Sequence, residues 1–189
     1  SASGFATTQI NWNSTATNTL DIILNPSSAK EQVIVSASRT QLRLSETPGS
    51  TVSLSEKDVA STPALTVDDI ISQVPGFALF RRSGSRTANP TSQGVSLRGL
   101  GASGPSRALV LEDGIPLGDP FGGWIYWGRI PKAEVGSVEV FRGGSSDLYG
   151  SNALGGVMQF ISRQPEAPAV SLETSYGNER TPDLSFWTG

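Results

Sequence analysis

Apolar and polar positions change their spacing several times along the chain, and each change marks an element. Val52 and Leu54 alternate with polar neighbours, which is the period of a short half-buried strand. Ser55 with Asp58 three residues on has the form of a capping box and predicts a helix of about two turns. Pro63 breaks the chain, Thr66 caps again, and Asp68 and Asp69 stand where a helix dipole favours acids. Val67, Ile70, Ile71 and Val74 then form one apolar stripe at helical spacing, stopped by Pro75 and Gly76. Strands follow at Phe77 to Phe80 and Val95 to Arg98, separated by a polar loop over 81–94 that is too long for a simple turn. Ala108 to Leu111 and Ile115 to Leu117 flank Asp113 and Gly114, the two-residue signal of a tight hairpin. A second long loop runs from Gly118 to Gly128, and a turn of helix is expected at Pro131. Strands at Val138 to Phe141 and Val157 to Ser162 flank a connection bracketed by Gly143, Gly144, Gly155 and Gly156. Short helices mixed with strands and long loops predict an α+β domain with a small mixed sheet.

The two ends read differently. Ile10 and Trp12, then Leu20 to Leu24, have strand character, and two isolated strands are marginal in water. Residues 1–25 are therefore expected to close a larger sheet upstream. Residues 26–50 read as a linker, interrupted by the β-branched island Val33, Ile34 and Val35. Beyond Pro165 and Pro168, Leu172, Thr174 and Tyr176 alternate with Ser171, Glu173 and Ser175, and Leu184 and Phe186 repeat the pattern. That tail has the period of a strand, with no partner expected within reach.

Composition narrows the function. Of 189 residues, 37% are apolar and 16% charged, against about 45–50% and about 25% in ordinary globular domains. The 21 glycines and 12 prolines suit many turns and disfavour a helical bundle. No histidine or cysteine is present, which removes zinc sites built on them, Ser-His-Asp and Cys-His catalysis, and disulfides. A net charge of −3 leaves no nucleic-acid footprint. Nothing approaches the roughly 18 apolar residues of a membrane helix. Because the single methionine is Met158, Ser1 is not a translational start, and the chain is expected to be part of a longer one.

Candidate chemistry is sparse. Gly99, Gly101 and Gly104 spell GxGxxG after a strand, but the next run, Ala108 to Leu111, is another strand. A dinucleotide site needs a helix to start there, so these glycines read as a turn. Asp68 with Asp69 and Glu112 with Asp113 have structural roles at a helix start and a hairpin turn. Neither catalysis nor a cofactor is expected. The aromatic loop is more distinctive, with Phe121, Trp124, Tyr126 and Trp127 set among glycines. Aromatics on a mobile loop suit recognition of a ligand, or packing against a neighbouring wall.

The runs VDDIISQVPGFAL, GVSLRGLG, RALVLEDGIPL and SVEVFRGGSSDLYGSNALGGVMQFISR, in that order, resemble the plug domain of TonB-dependent outer-membrane receptors over residues 31–163. Upstream, EQVIVSASRT resembles the TonB box of that family. Residues 1–25 look like the end of a carboxypeptidase-regulatory-like β-sandwich, and the tail like the first strand of the receptor barrel. The resemblance implies four parts: a sandwich end at 1–25, a linker with TonB box at 26–50, a plug at 51–165 and the start of a β-barrel at 166–189.

It also implies a role. Such a plug fills a barrel of about 22 strands, blocks free diffusion and helps hold a scarce nutrient such as an iron-siderophore. Glu31, Gln32, Val33, Ile34, Val35, Ser36 and Ala37 would bind the C-terminal domain of TonB by strand addition. Phe121, Trp124, Tyr126 and Trp127 would face the ligand. Arg98, Glu139 and Arg142 match family residues that face the barrel wall, their other role being internal polar contacts. Gly136 and Ser137 depart from the Glu-Arg usual in the family, and Gln32 stands where Thr is frequent. The partners implied are TonB, the receptor's own barrel, a small nutrient and the bacterial outer membrane, with the TonB box facing the periplasm. A ligand-binding or signalling module without transport is the alternative.

Overall fold

The computed structural model describes residues 33–34, 42–43, 49–81, 83–100, 106–165 and 167–189. The strand expectations within 1–25 and most of the linker lie outside the described residues, as do Gly101 and Gly104 of the glycine motif. In chain order the elements are β1 (Val33–Ile34), β2 (Leu42–Arg43), β3 (Ser50–Leu54), α1 (Glu56–Ser61), α2 (Val67–Ile71), β4 (Phe77–Leu79) and β5 (Val95–Leu97). They continue with β6 (Ala108–Glu112), β7 (Ile115–Pro116), β8 (Val135–Arg142), α3 (Ser146–Tyr149), β9 (Gly156–Ser162), β10 (Val170–Gly177) and β11 (Thr181–Thr188).

The central sheet has the order β3-β8-β9-β6-β7, antiparallel except for the parallel pair β6 and β9. This is the mixed sheet that the alternating pattern predicts. Its two faces differ. One presents Val52, Leu54, Val138, Val140, Met158, Phe160, Ala108 and Val110 to the main core. The α2 stripe closes over that core, with Val67, Ile70 and Ile71 wholly buried and Val74 at 2% exposure. The other face carries Leu109, Leu111 and Val157 under Ala153 and Tyr149. On that face a polar row crosses the strands, with Ser53 opposite Glu139 and Glu139 opposite Gln159.

Local chemistry sets the boundaries. Ser55 opens α1 with a complete capping box: its Oγ accepts from the Asp58 amide, and Asp58 Oδ2 accepts from the Ser55 amide at 2.9 Å. The hydrogen bonds from Ser55 hold the Asp58 carboxyl below its ordinary value of 3.8. Thr66 begins α2 differently, donating its hydroxyl to Asp69 Oδ2 at 3.0 Å rather than accepting from the backbone. Asp113 and Gly114 both have positive φ, 46° and 82°, which is the backbone that a two-residue hairpin turn requires.

Two glycines are dictated by space. Gly136 lies at a bulge between β8 and β9, where a Cβ would meet Arg163 Cα at 2.9 Å. A larger side chain there would not fit this backbone without a shift. Gly156 has φ 140°, and a Cβ would meet the Phe141 carbonyl oxygen at 2.2 Å.

The tail corrects an expectation. β10 finds its partner in β11, paired antiparallel from Val170 with Thr188 to Gly177 with Thr181. One face of this hairpin presents Val170, Leu172, Tyr176, Leu184 and Phe186, each more than 60% exposed. The opposite face carries Glu173, Ser175, Asp183 and Ser185.

Candidate functional site

The aromatic loop of 118–128 is a built structure. Gly118 bridges to Ile125, the Asp119 amide donates to the Trp124 carbonyl at 2.9 Å, and the Gly123 amide returns to the Asp119 carbonyl at 2.8 Å. Asp119 Oδ1 accepts from the amides of Phe121 and Gly122 at 3.0 and 2.7 Å, an Asx turn that fixes the tip. Phe121 sits on that tip, 97% exposed. Beside it is a pocket of about 270 Å³ whose lining includes Ser106, Arg107, Asp119, Phe121 and Asn152. Trp124 lays its ring over Gly122, the spot that a Cβ would occupy. Tyr126 is half-buried, with the Arg129 guanidinium 4.8 Å from its ring centre.

Trp127 corrects the grouping of the four aromatics. It is 1% exposed, edge-on to Phe160 at 6.3 Å between ring centres, and belongs to the main core. Ile125 is also buried at 1%. From Trp124 to Trp127 the chain alternates outward and inward, and that two-residue period was a signal hidden by treating the aromatics as one cluster.

The proposed wall contacts also divide. Arg98 is exposed and adopts φ 57°, with its amide on the Gly76 carbonyl at 2.7 Å. Its Nη1 donates to the Arg142 carbonyl at 3.4 Å, which brings the two arginines together. Arg142 donates through Nη1 to the Pro75 carbonyl at 2.7 Å and through Nη2 to Ser50 Oγ. Glu139 is the exception among the three. It is 3% exposed, in the polar row between Ser53 and Gln159, and so stands inside the domain rather than on its rim. Of the segment proposed for TonB, Val33 and Ile34 form the short β1 ladder with Arg43 and Leu42. Glu31, Gln32, Val35, Ser36 and Ala37 lie outside the described residues.

Sequence reasoning missed a buried polar network on the loop of 81–94. Arg81 Nη2 donates to Asp68 Oδ2 at 2.6 Å, and Ser85 Oγ donates to Asp68 Oδ1 at 2.7 Å. The Asp68 and Arg81 side chains are only 1% and 4% exposed. Gln93 Nε2 donates to the Ala88 carbonyl at 3.1 Å. Asp68 thus ties this loop to α2, in addition to its favourable place at the helix start. One residue beyond Ser85, Arg86 pairs with Asp183 on β11. The pair borders a cleft of about 600 Å³ lined by Thr66, Trp127 and Lys132 on one side and, on the hairpin, by Glu173, Asp183 and Ser185 with Leu184 and Phe186 at the edge.

Acid–base chemistry does not gather here. Burial, with Glu134 and Asp113 nearby, pushes the Glu112 carboxyl above its ordinary value of 4.5. Asp113, however, is engaged as an acceptor from the Ser162 amide at 3.0 Å and hydroxyl at 2.5 Å. Among the described residues, no group of three or more acidic side chains could hold a metal ion.

Comparison with known proteins places this architecture. The family described as TonB-dependent Receptor Plug Domain matches residues 43–157. The vitamin B12 transporter BtuB of Vibrio vulnificus is 32% identical over 161 residues, covering 84% of this chain and 25% of the transporter. The vitamin B12 transporter BtuB of Vibrio cholerae is 27% identical over 166 residues, covering 87% and 26%. The chain thus spans about a quarter of the length of these relatives. Among solved structures, the alcaligin outer membrane receptor FauA of Bordetella pertussis matches with a TM-score of 0.59 at 21% identity, covering 77% of this chain and 24% of that one. The ferric citrate transporter FecA in its unliganded form matches with a TM-score of 0.57 at 24% identity, covering 74% and 22%. These two likenesses show the fold.

Proposed function

The chain belongs to the TonB-dependent receptor plug domain family, and from that premise we propose that it is the gate of an active transporter in the bacterial outer membrane. As a receptor plug it is not an enzyme. In this reading the domain of 51–165 closes the receptor barrel, and the hairpin that follows begins the barrel wall. The observation that carries the reading is the hairpin's two-sidedness. Glu173, Ser175, Asp183 and Ser185 share the face turned to the cleft. Val170, Leu172, Tyr176, Leu184 and Phe186 share the other and are strongly exposed, with Leu184 and Phe186 also edging the cleft. This is the alternation expected of a strand with lipid on one side and a wet lumen on the other.

Each part then has a task. Phe121 on its fixed turn, with Trp124 and Tyr126, offers an aromatic surface to a nutrient too large for porins. Trp127 supports them from the core. Arg98 and Arg142, neither with a carboxylate partner among the described residues, would meet acids of the wall. Glu31 to Ala37 supply a β-branched strand for the C-terminal domain of TonB, whose main-chain pairing transmits force from the inner membrane. Residues 1–25 would end a separate β-sandwich.

The names of the relatives make cobalamin the first substrate to try, with an iron-siderophore second. Cells relying on the full-length receptor should accumulate labelled cyanocobalamin or a ferric siderophore only when TonB is present. Ile34→Pro should abolish uptake by removing a ladder donor while leaving surface binding intact. Uptake that is indifferent to TonB would refute the gate reading and favour a module that binds or signals without transport.

A further inference from the structure

The loop of 81–94 is fastened twice, and the two fastenings differ in kind. Inside, Asp68 holds Arg81 and Ser85 at 2.6 and 2.7 Å within the domain, shielded from water. Outside, Arg86 reaches Asp183 on the hairpin, with the two side chains 38% and 29% exposed. Both Arg86 and Asp183 also line the cleft between the domain and the hairpin. The pair therefore spans a space of about 600 Å³ in which Lys132, Glu173 and Ser185 stand among the apolar Ile130, Leu184 and Phe186.

We propose that Arg86 and Asp183 form the latch between plug and barrel wall, and that the cleft they span is the path that widens when they part. The inference rests on the gate reading above and names the contact at which the gate gives way. A water-exposed pair is screened and weakly held, whereas separating a buried pair strands a charge in a poor solvent. Load applied to the plug therefore parts Arg86 from Asp183 first. Asp68 keeps the loop attached to α2, so the loop leaves the wall with the body of the plug instead of unravelling across the opening. The space left behind carries polar groups on both sides, Lys132 on the plug and Glu173 and Ser185 on the hairpin, set among the apolar Ile130, Leu184 and Phe186.

Ionic current through the full-length receptor in planar bilayers bathed in potassium chloride tests this. Deleting residues 51–165 should open a steady conductance; if the barrel stays closed, the gate reading itself fails. In the intact receptor, Arg86→Gln and Asp183→Asn should each raise the leak about two- to fivefold, the change in a closed-to-open ratio that a partly exposed pair commands. Arg86→Asp combined with Asp183→Arg should return the leak to the wild-type level. The latch is overturned, with the gate intact, if the deletion conducts while both single variants stay at the wild-type level. It is equally overturned if the charge-reversed receptor leaks as much as the single variants.

Discussion

The plug body and the C-terminal hairpin are built from the same alternating strand pattern and use it in opposite senses. In β8 and β9, Val138, Val140, Met158 and Phe160 turn inward and are at most 1% exposed. In β10 and β11, Leu172, Leu184 and Phe186 turn outward and are 62–69% exposed. Alternation specifies two faces without saying which solvent each will meet. The plug answers with its own helices, α2 closing over one face of the sheet and Tyr149 of α3 packing on the other. The hairpin brings no such cover, and two strands alone are marginal in water. If the hairpin begins a barrel wall, as proposed, its apolar face meets lipid, and the hairpin depends on the rest of that barrel in a way that the plug does not.

The sharpest way to break this contrast is to strike each region at an apolar position. Trp127→Ala empties a core site and should cost about 3–5 kcal/mol, read as a lowered urea midpoint of the chain. Asp68→Ala should cost a similar amount, about 3–5 kcal/mol, because it leaves Arg81 charged and buried. Asp183→Ala should change the same midpoint by only about 0–1 kcal/mol, since its partner regains water. Equal effects from the two aspartates would remove the distinction between inner and outer fastening.

Leu172→Arg should leave the urea midpoint of the chain unchanged. In the full receptor it should cost about 2–4 kcal/mol if Leu172 lies near the bilayer midplane, read as a smaller folded fraction after insertion into lipid vesicles. A loss of chain stability in water would place Leu172 in the plug's core instead.

The smallest effects concern pH. Asp58 has a lowered folded value, so its contribution is full above the ordinary 3.8 and is lost as pH falls through the folded value. Glu112 has a raised folded value, so stability declines as pH rises from 4.5 through that value. Melting temperatures measured against pH should show Asp58→Asn flattening the acid limb and Glu112→Gln flattening the limb above it. Both carboxylates belong to the plug body, and neither variant should change the hairpin's insertion into lipid.

Much of the plug was legible because its signals are local. The capping box at Ser55, the stripe through α2 and the turn at Asp113 and Gly114 each lie within a few residues, and each formed where expected. The length of β8 was harder to read. It begins at Val135, since the bulge at Gly136 lets the strand run on through a position that looks like a break. The candidate site was legible as residue types and less so as positions. Four aromatics within seven residues read as one surface, yet the alternation of the chain sends Trp127 to the core and leaves Phe121 on the tip. Glu139 and Arg142 read as one motif, yet Glu139 is taken into the sheet while Arg142 binds at the strand's end.

By itself the sequence determined the family, the α+β class, the order of the short elements and the absence of histidine and cysteine chemistry. Those properties follow from residue type and spacing, which act over one or two turns of chain. Only the tertiary structure decided that Asp68 holds Arg81 and Ser85, that Arg86 meets Asp183, and that the tail folds back on itself as a hairpin. Each of these joins chain segments whose spacing carries no mark of the other, and a buried charge finds its partner through the packing around it rather than through its neighbours in sequence.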